Sequence, residues 1–277
     1  MELTITVLTD NQVDRGDGLL AEHGLSLLVE AGNCKLLFDM GQSDICLKNA
    51  ARLGADLGGL STVVLSHGHY DHGGGLPALL DEVGRLDVIA HPGAFASKYA
   101  RHHGQQDRHI GLAYSAGDLS RQGAVVRLEP DAHEISGGLI ATGSIPRITG
   151  FEKDDPHFWV KTDGRWELDH FKDDQALVAR TAEGLVVLLG CAHAGVVNTV
   201  RYASKLTGDE RIRAVVGGLH LATASLERTE NTVAALRQME VRQVVACHCT
   251  GFVARIRLHA AFGRRFMNGV VGLRLTF

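Results

Sequence analysis

The chain has no apolar run approaching the ~20 residues needed to span a bilayer, and it has no long basic stripe. Its formal charge is -4, with acids and bases interspersed, so the attraction that drives non-specific nucleic-acid binding has no source. The short cluster Arg255, Arg257, Arg264 and Arg265 reads as a solvated helix face. The opening "MELTITVLTD" lacks the cationic segment of a secretory signal. Cysteine is sparse and odd in number, five in 277 residues; this excludes a disulfide framework and favours a reducing, cytoplasmic setting. Repeats, low-complexity tracts and linkers are missing as well, so residues 1–277 read as one domain. These absences leave a protein that acts on a small molecule, with neither nucleic acid nor membrane as partner.

What the chain does have is 45% hydrophobic residues and 15 histidines, a core-building composition with an unusual imidazole content. Apolar runs predict strands at 3–8, 25–30, 34–39, 61–66, 86–91, 124–129 and 138–142 in the first half. The second half has them at 175–181, 184–190, 212–218, 242–248 and 270–277. Helical periodicity marks 43–53, 76–83, 93–102, 196–206, 225–239 and 252–262. The polar stretch 103–123 reads as a surface excursion over a cleft. Strands in each half with helices outside them predict two packed sheets.

The stretch "LSHGHYDHGGG" (65–75) follows a buried-strand pattern. In extended chain, residues two apart point the same way, so His67 and His69 can aim both rings at one point. Asp71 and His72 follow where the chain must curl and can reach a second point nearby. Gly68 and Gly73 to Gly75 permit close backbone approach. Imidazole with carboxylate suits zinc, with iron and manganese as alternatives. A metal site needs further donors, and "LVVLLGCAHAG", "IRAVVGGLHLA" and "RQVVACHCTG" place His193, His220 and His248 each at or just past a strand. Strand carboxyl ends gathered on one rim are where layered α/β structures build sites. A predicted helix follows each motif, and helix N-termini attract anions. Thr250 and Gly251 are candidates to cradle an anionic substrate group, although helices could begin at that rim for topological reasons alone.

The spacing His67-x-His69-x-Asp71-His72 after a strand resembles the hallmark of the metallo-β-lactamase fold superfamily. "KLLFDMGQS" (35–43) resembles that superfamily's strand ending in Asp-x-Gly. "GCAHAGVVNTV", "GGLHLA" and "CHCTG" resemble the branch of the archaeal dihydropterin–ribofuranosylaminobenzene 5'-phosphate synthase-like proteins. The resemblance implies a four-layer αββα sandwich of two mixed β-sheets with helices outside. It also implies one or two divalent ions, one held by His67, His69 and His193, the other by Asp71, His72 and His248. One departure stands out. Most of the superfamily bridges its ions with an aspartate on the strand before the last histidine, and "VVGGLHL" has no carboxylate there. His220 is the candidate to stand in as a terminal ligand, and Cys191 ranks behind it. Asp71 and His220 are also the candidates for orienting the attacking water.

Asp39 could orient a ligand histidine through its free ring nitrogen or cap the helix near Ser43. By resemblance, "GSIPRITGFEKDD" (143–155) lies near the cleft, where Arg147 could pair with a substrate anion and Glu152 could orient it. A surface salt-bridge loop fits this stretch as well. Cys247 and Cys249 read as buried, inert thiols, because residues flanking His248 on a strand would face away from it. The implied activity is metal-dependent hydrolysis of a phosphoester, lactone or thioester. The alternatives are a synthase-like transfer to an aromatic acid and a non-catalytic metal- or ligand-binding regulator.

Overall fold

The computed structural model describes residues 2–277. Two seven-stranded sheets form its centre. The first runs in the order Arg274–Thr276, Leu3–Thr9, Ser26–Ala31, Cys34–Phe38, Thr62–Val64, Asp87–Ala90, Val125–Leu128. The second runs Phe266–Asn268, Val244–Cys247, Ile212–Gly218, Gly184–Leu189, Ala176–Thr181, Leu139–Ala141, His133–Ser136. Both are mixed. Cys34–Phe38, Thr62–Val64 and Asp87–Ala90 are parallel neighbours, as are Gly184–Leu189, Ile212–Gly218 and Val244–Cys247.

Strand alternation explains the layering. Leu27 and Val29 face the second sheet, where they meet Val186, Leu188, Val216 and Val245. Leu28 and Leu37 face outward onto Cys46, Ala50, Leu76 and Leu80 of the helices Ile45–Leu53 and Leu76–Val83. On the far side Leu185, Val187 and Leu189 pack against Val196, Val200, Leu236 and Leu258 of the helices Val196–Thr207, Leu226–Gln238 and Phe252–Phe262. Both faces of both sheets are therefore covered, which is why the strands read as continuous apolar runs rather than alternating ones. The outcome is the expected four-layer αββα sandwich.

Three expectations differ. Residues 93–102 are not a helix; a short 3₁₀ turn, Pro92–Phe95, leads into the strand Ser97–Ala100. Here Lys98 and Ala100 are buried while their neighbours are not, a period of two that helical spacing masked. That strand belongs to a third sheet, in the order Arg165–Leu168, Phe158–Thr162, Ser97–Ala100, Arg108–His109. The stretch 103–123 thus holds a sheet strand and the helix Ala116–Arg121 in addition to loop. At the C-terminus only Arg274–Thr276 is strand, and it finishes the first sheet against Leu3–Thr9.

Candidate metal centre

Parallel neighbours end at the same edge, so the strand carboxyl ends gather the donors. Thr62–Val64 leads to His67, Gly184–Leu189 to His193, Ile212–Gly218 to His220 and Val244–Cys247 to His248. Gly68 lets the first of these loops close: a Cβ there would lie 1.8 Å from the Ala94 carbonyl oxygen. Its N–H donates to Asp173 at 2.9 Å. Asp173 shares the buried Lys98 ammonium with Asp169, at 2.8 and 2.7 Å. Burial disfavours a charged lysine, but the two carboxylates outweigh it and raise its pKa. This ion triad pins the histidine loop to the third sheet.

The donors fall into two halves. In one, His67 Nε2 and His69 Nδ1 are 3.0 Å apart, and with a nitrogen of His193 they form a set whose atoms lie within 4.8 Å of one another. In the other, His72 Nε2 and His248 Nε2 are 3.3 Å apart. Asp71 Oδ2 lies 3.4 Å from the His248 nitrogen and 4.0 Å from that of His72. The structure thus brings together, in two neighbouring groups, the residues that the resemblance assigned to two ions. Tetrahedral zinc with nitrogens at ~2.0–2.1 Å would hold them roughly 3.3 Å from each other. The His193 Nε2 and both ring nitrogens of His220 are buried with no hydrogen-bond partner. Buried imidazole nitrogens left unbonded are costly, and a shared cation removes that cost, so the donor set fits a divalent ion.

Electrostatics separates the halves. Burial, reinforced by neighbouring imidazoles, keeps His67 and His193 far below the usual histidine pKa, and burial takes His69 to about 3. These are neutral rings, the form that ligates a metal. Burial also opposes charge on His72, but the Asp39 carboxylate, 2.7 Å from Nδ1, overrides it and lifts the ring to about 9. For Asp71, burial is again the opposing influence, yet hydrogen bonds from His23 and His248 hold its carboxyl well below the carboxylate range. Asp39 thus orients His72, as one of its two expected roles required. The other role is absent: the helix Ile45–Leu53 has Asp44 at its N-cap. Asp39 also accepts the Ser66 N–H and hydroxyl, both at 2.7 Å.

Asp39, Ala192, His220 and His248 all have positive φ, between 42° and 62°. Such angles cost of order 1–3 kcal/mol each in non-glycine residues and gather where function fixes the backbone. The turn at His248 also explains a departure at Cys249. The strand stops at Cys247 and a 3₁₀ turn follows, so alternation no longer applies. Cys247 is fully buried away from the donors, whereas Cys249 forms a close set with Cys191 and His248.

The four residues expected to touch substrate are all engaged in bracing the histidine loops. Arg147 pairs with Asp154 at 3.0 Å and donates to the His193 carbonyl at 2.9 Å. Glu152 is 3% exposed. Its carboxylate accepts the Val197 and Asn198 N–H groups, both at 2.8 Å, and the Thr149 hydroxyl. That plugs the N-terminus of the helix after His193. The Thr250 hydroxyl donates to the Cys247 carbonyl and accepts the Leu219 N–H. A Cβ on Gly251 would lie 2.4 Å from Ala222 Cα, so this glycine serves close packing of the His220 and His248 loops.

Sequence reasoning missed several supporting groups. His23 Nε2 is 3.1 Å from Asp71 Oδ2, and its side chain is 55% exposed. Asp10 accepts the His248 N–H, and Asn11 Oδ1 meets His248 Nδ1, each at 2.7 Å. Phe171 stacks on His193 at 3.8 Å between centroids. The tetrad Thr9–Gln12, polar directly after an apolar strand, was the available signal for Asp10 and Asn11.

A family model for the metallo-beta-lactamase superfamily matches residues 20–150. The uncharacterized protein MJ0448 of Methanocaldococcus jannaschii is 32% identical over 97% of this chain and 98% of its own. A second protein of that organism, a 7,8-dihydropterin-6-methyl-4-(beta-D-ribofuranosyl)-aminobenzene-5'-phosphate synthase, is 29% identical over 99% of this chain and 97% of its own. Among solved structures, Tm1679, described as a metal-dependent hydrolase of the beta-lactamase superfamily, superposes with a TM-score of 0.85 at 34% identity, covering 99% of this chain and 98% of that one. Its donor loops, its layered fold and these full-length relatives make one case: the chain belongs to the metallo-β-lactamase superfamily.

Proposed function

We propose that the protein is a metal-dependent hydrolase of a small substrate, and that residues 1–277 work as one domain because donors from 67 to 248 meet at one edge. The observation that carries the reading is the convergence of His67, His69, His72, His193 and His248 with Asp71, all nine-tenths or more buried. Divalent metal ions, zinc foremost and iron or manganese otherwise, would supply a water acidified to a pKa of ~7 and a polarised scissile bond. The chain's own groups do the rest. Asp71 holds negative charge beside His248 and can orient the water or accept its proton. His23, whose pKa is raised by its hydrogen bond to Asp71, can carry a proton between that carboxylate and solvent. His220, part-exposed with both ring nitrogens free, can meet the substrate or complete the donor set. An anionic substrate group remains the expected chemistry, attracted by the cations and His23 rather than by Arg147 or Thr250. No helix among the described residues is long and apolar enough to cross a membrane.

The full-length similarity to a synthase favours a second reading, in which the same donors assist transfer of a phosphoribosyl group to an aromatic acid. The test begins with elemental analysis of the purified protein and of His69→Ala. The first should carry one or two metal ions per chain and the second should lose most of that metal. Phosphodiesters, lactones and thioesters are then screened with apo and reconstituted protein. Metal-dependent turnover of one class supports the hydrolase. Condensation without hydrolysis moves the assignment to the synthase. Equal, negligible metal in both proteins removes both readings and the site with them.

A further inference from the structure

The superfamily's bridging carboxylate has no counterpart on the Ile212–Gly218 strand, and neither Asp39 nor Asp174 joins a compact donor set, although Asp174 Oδ1 is buried without a partner. Asp39 accepts from Ser66 and His72, and Asp174 accepts the Ala194 N–H at 2.7 Å. Asp71 is then the one carboxylate among the predicted donors, beside rings that are neutral in the ligating form. Two divalent ions would bring four positive charges into this buried space, and Asp71 balances one of them.

Cys191 stands where a second anion is missing. It follows Gly190 at the end of the Gly184–Leu189 strand and is 3% exposed. Its Sγ lies 3.2 Å from His72 Nε2. It forms compact donor sets with His67 and His72, with His193 and His220, and with His248 and Cys249. The sulfur is therefore within reach of donors from both halves of the cluster.

We propose that Cys191 is a metal ligand, its thiolate lying between the two halves and bridging two ions in the role left without an aspartate. Binding replaces the S–H bond with S–metal bonds and releases the proton to solvent. A thiolate is a soft donor, so the site would select zinc or iron over manganese. Cys249, close to Cys191 and His248, is a neighbour to be distinguished by experiment rather than the bridge itself. The proposal rests on the metal-dependent reading above, and its test separates the two.

The experiment is X-ray absorption at the zinc edge on the wild-type protein, with cobalt(II) substitution of wild type, Cys191→Ser and Cys249→Ser. The expected result is a sulfur shell at about 2.3 Å beside nitrogen and oxygen. With cobalt, a near-ultraviolet thiolate-to-metal band should be present in wild type and Cys249→Ser and absent in Cys191→Ser, which also loses its second metal equivalent. Bound zinc without a sulfur shell overturns the proposal and leaves the hydrolase reading standing. A band that survives in Cys191→Ser and disappears in Cys249→Ser overturns it too. A wild-type protein that binds no metal overturns both. The absorption measurement needs no variant, so a misfolded Cys191→Ser would not shield the proposal.

Discussion

The two halves of the donor cluster are built from the same residue type and held by different forces. His69 and His193 pack against Phe171, with ring centroids at 5.5 and 3.8 Å, and His69 also meets Phe158 of the third sheet. His67 has the Ser66 hydroxyl at 2.8 Å from Nδ1. His72 and His248 are instead held by Asp39 and Asn11, with His23 beside Asp71 opening to solvent. One half is a neutral socket oriented by aromatic packing. The other is a charged network in which every ligand has a polar partner. A neutral socket of imidazoles accepts a cation without first giving up a ring proton; in the charged one His72 must release its Nε2 proton, which the Asp39 carboxylate at Nδ1 makes harder to lose.

That contrast predicts a divergence with pH. In the metal-free protein His72 is raised from 6.5 to about 9. A histidine raised in this way adds stability that is complete below about pH 6.5 and lost as pH climbs through about 9. Metal at Nε2 must displace a proton from His72, so affinity at the second half should rise by about tenfold or more per pH unit across this window. The first half, whose rings are neutral well below it, should be nearly flat, because the Cys191 proton leaves only when the second ion binds. Calorimetric metal titrations at several pH values resolve the two steps; equal slopes for both would break the contrast.

Replacing the carboxylate sharpens it. Asp39→Asn keeps an oxygen for the Ser66 N–H but removes the charge facing His72. Supporting groups of this kind are worth about 10–100-fold in metal affinity, so the second step should weaken by that amount and lose most of its pH dependence. The first step should stay within a few fold. Uniform weakening of both would mean that the halves are one coupled unit.

How much of this was readable depends on what each residue's signal was. His67, His193, His220 and His248 stood out because each ends or follows an apolar run, and parallel neighbours bring such ends together without any knowledge of partners. His23, Asp10 and Asn11 sit more than two hundred positions from His248, or about fifty from Asp71, and no local periodicity links them. Only the pairing of the first strand within the sandwich does. Cys249 was misread because the strand ended one residue early and His248 turned left-handed. Phe158 and Lys98 were missed with their sheet, since four short, half-exposed strands carry little period-two signal. Arg147 and Glu152 were placed in the right neighbourhood without their protein partners: polar residue types reveal that a loop is near a site, not which groups they bond.

Glu152 gives the smallest effect and the cleanest separation of bracing from binding. Both its oxygens accept N–H groups at the start of the helix that follows His193, where a negative charge also meets the helix dipole. Glu152→Gln retains one acceptor oxygen, offers an N–H where an acceptor is needed, and removes the charge. Loss of a cap costs roughly 0.5–2 kcal/mol, which in a chain of this size is a fall in Tm of a few degrees. Substrate KM should not move, because the carboxylate faces the helix and not the cleft. Had it been a substrate contact, the reverse would hold: an unchanged Tm and a KM raised several-fold. Measuring both on one variant decides whether the loop carrying His193 is supported from beneath by a buried charge, while His248 is supported from the side by Asp10 and Asn11.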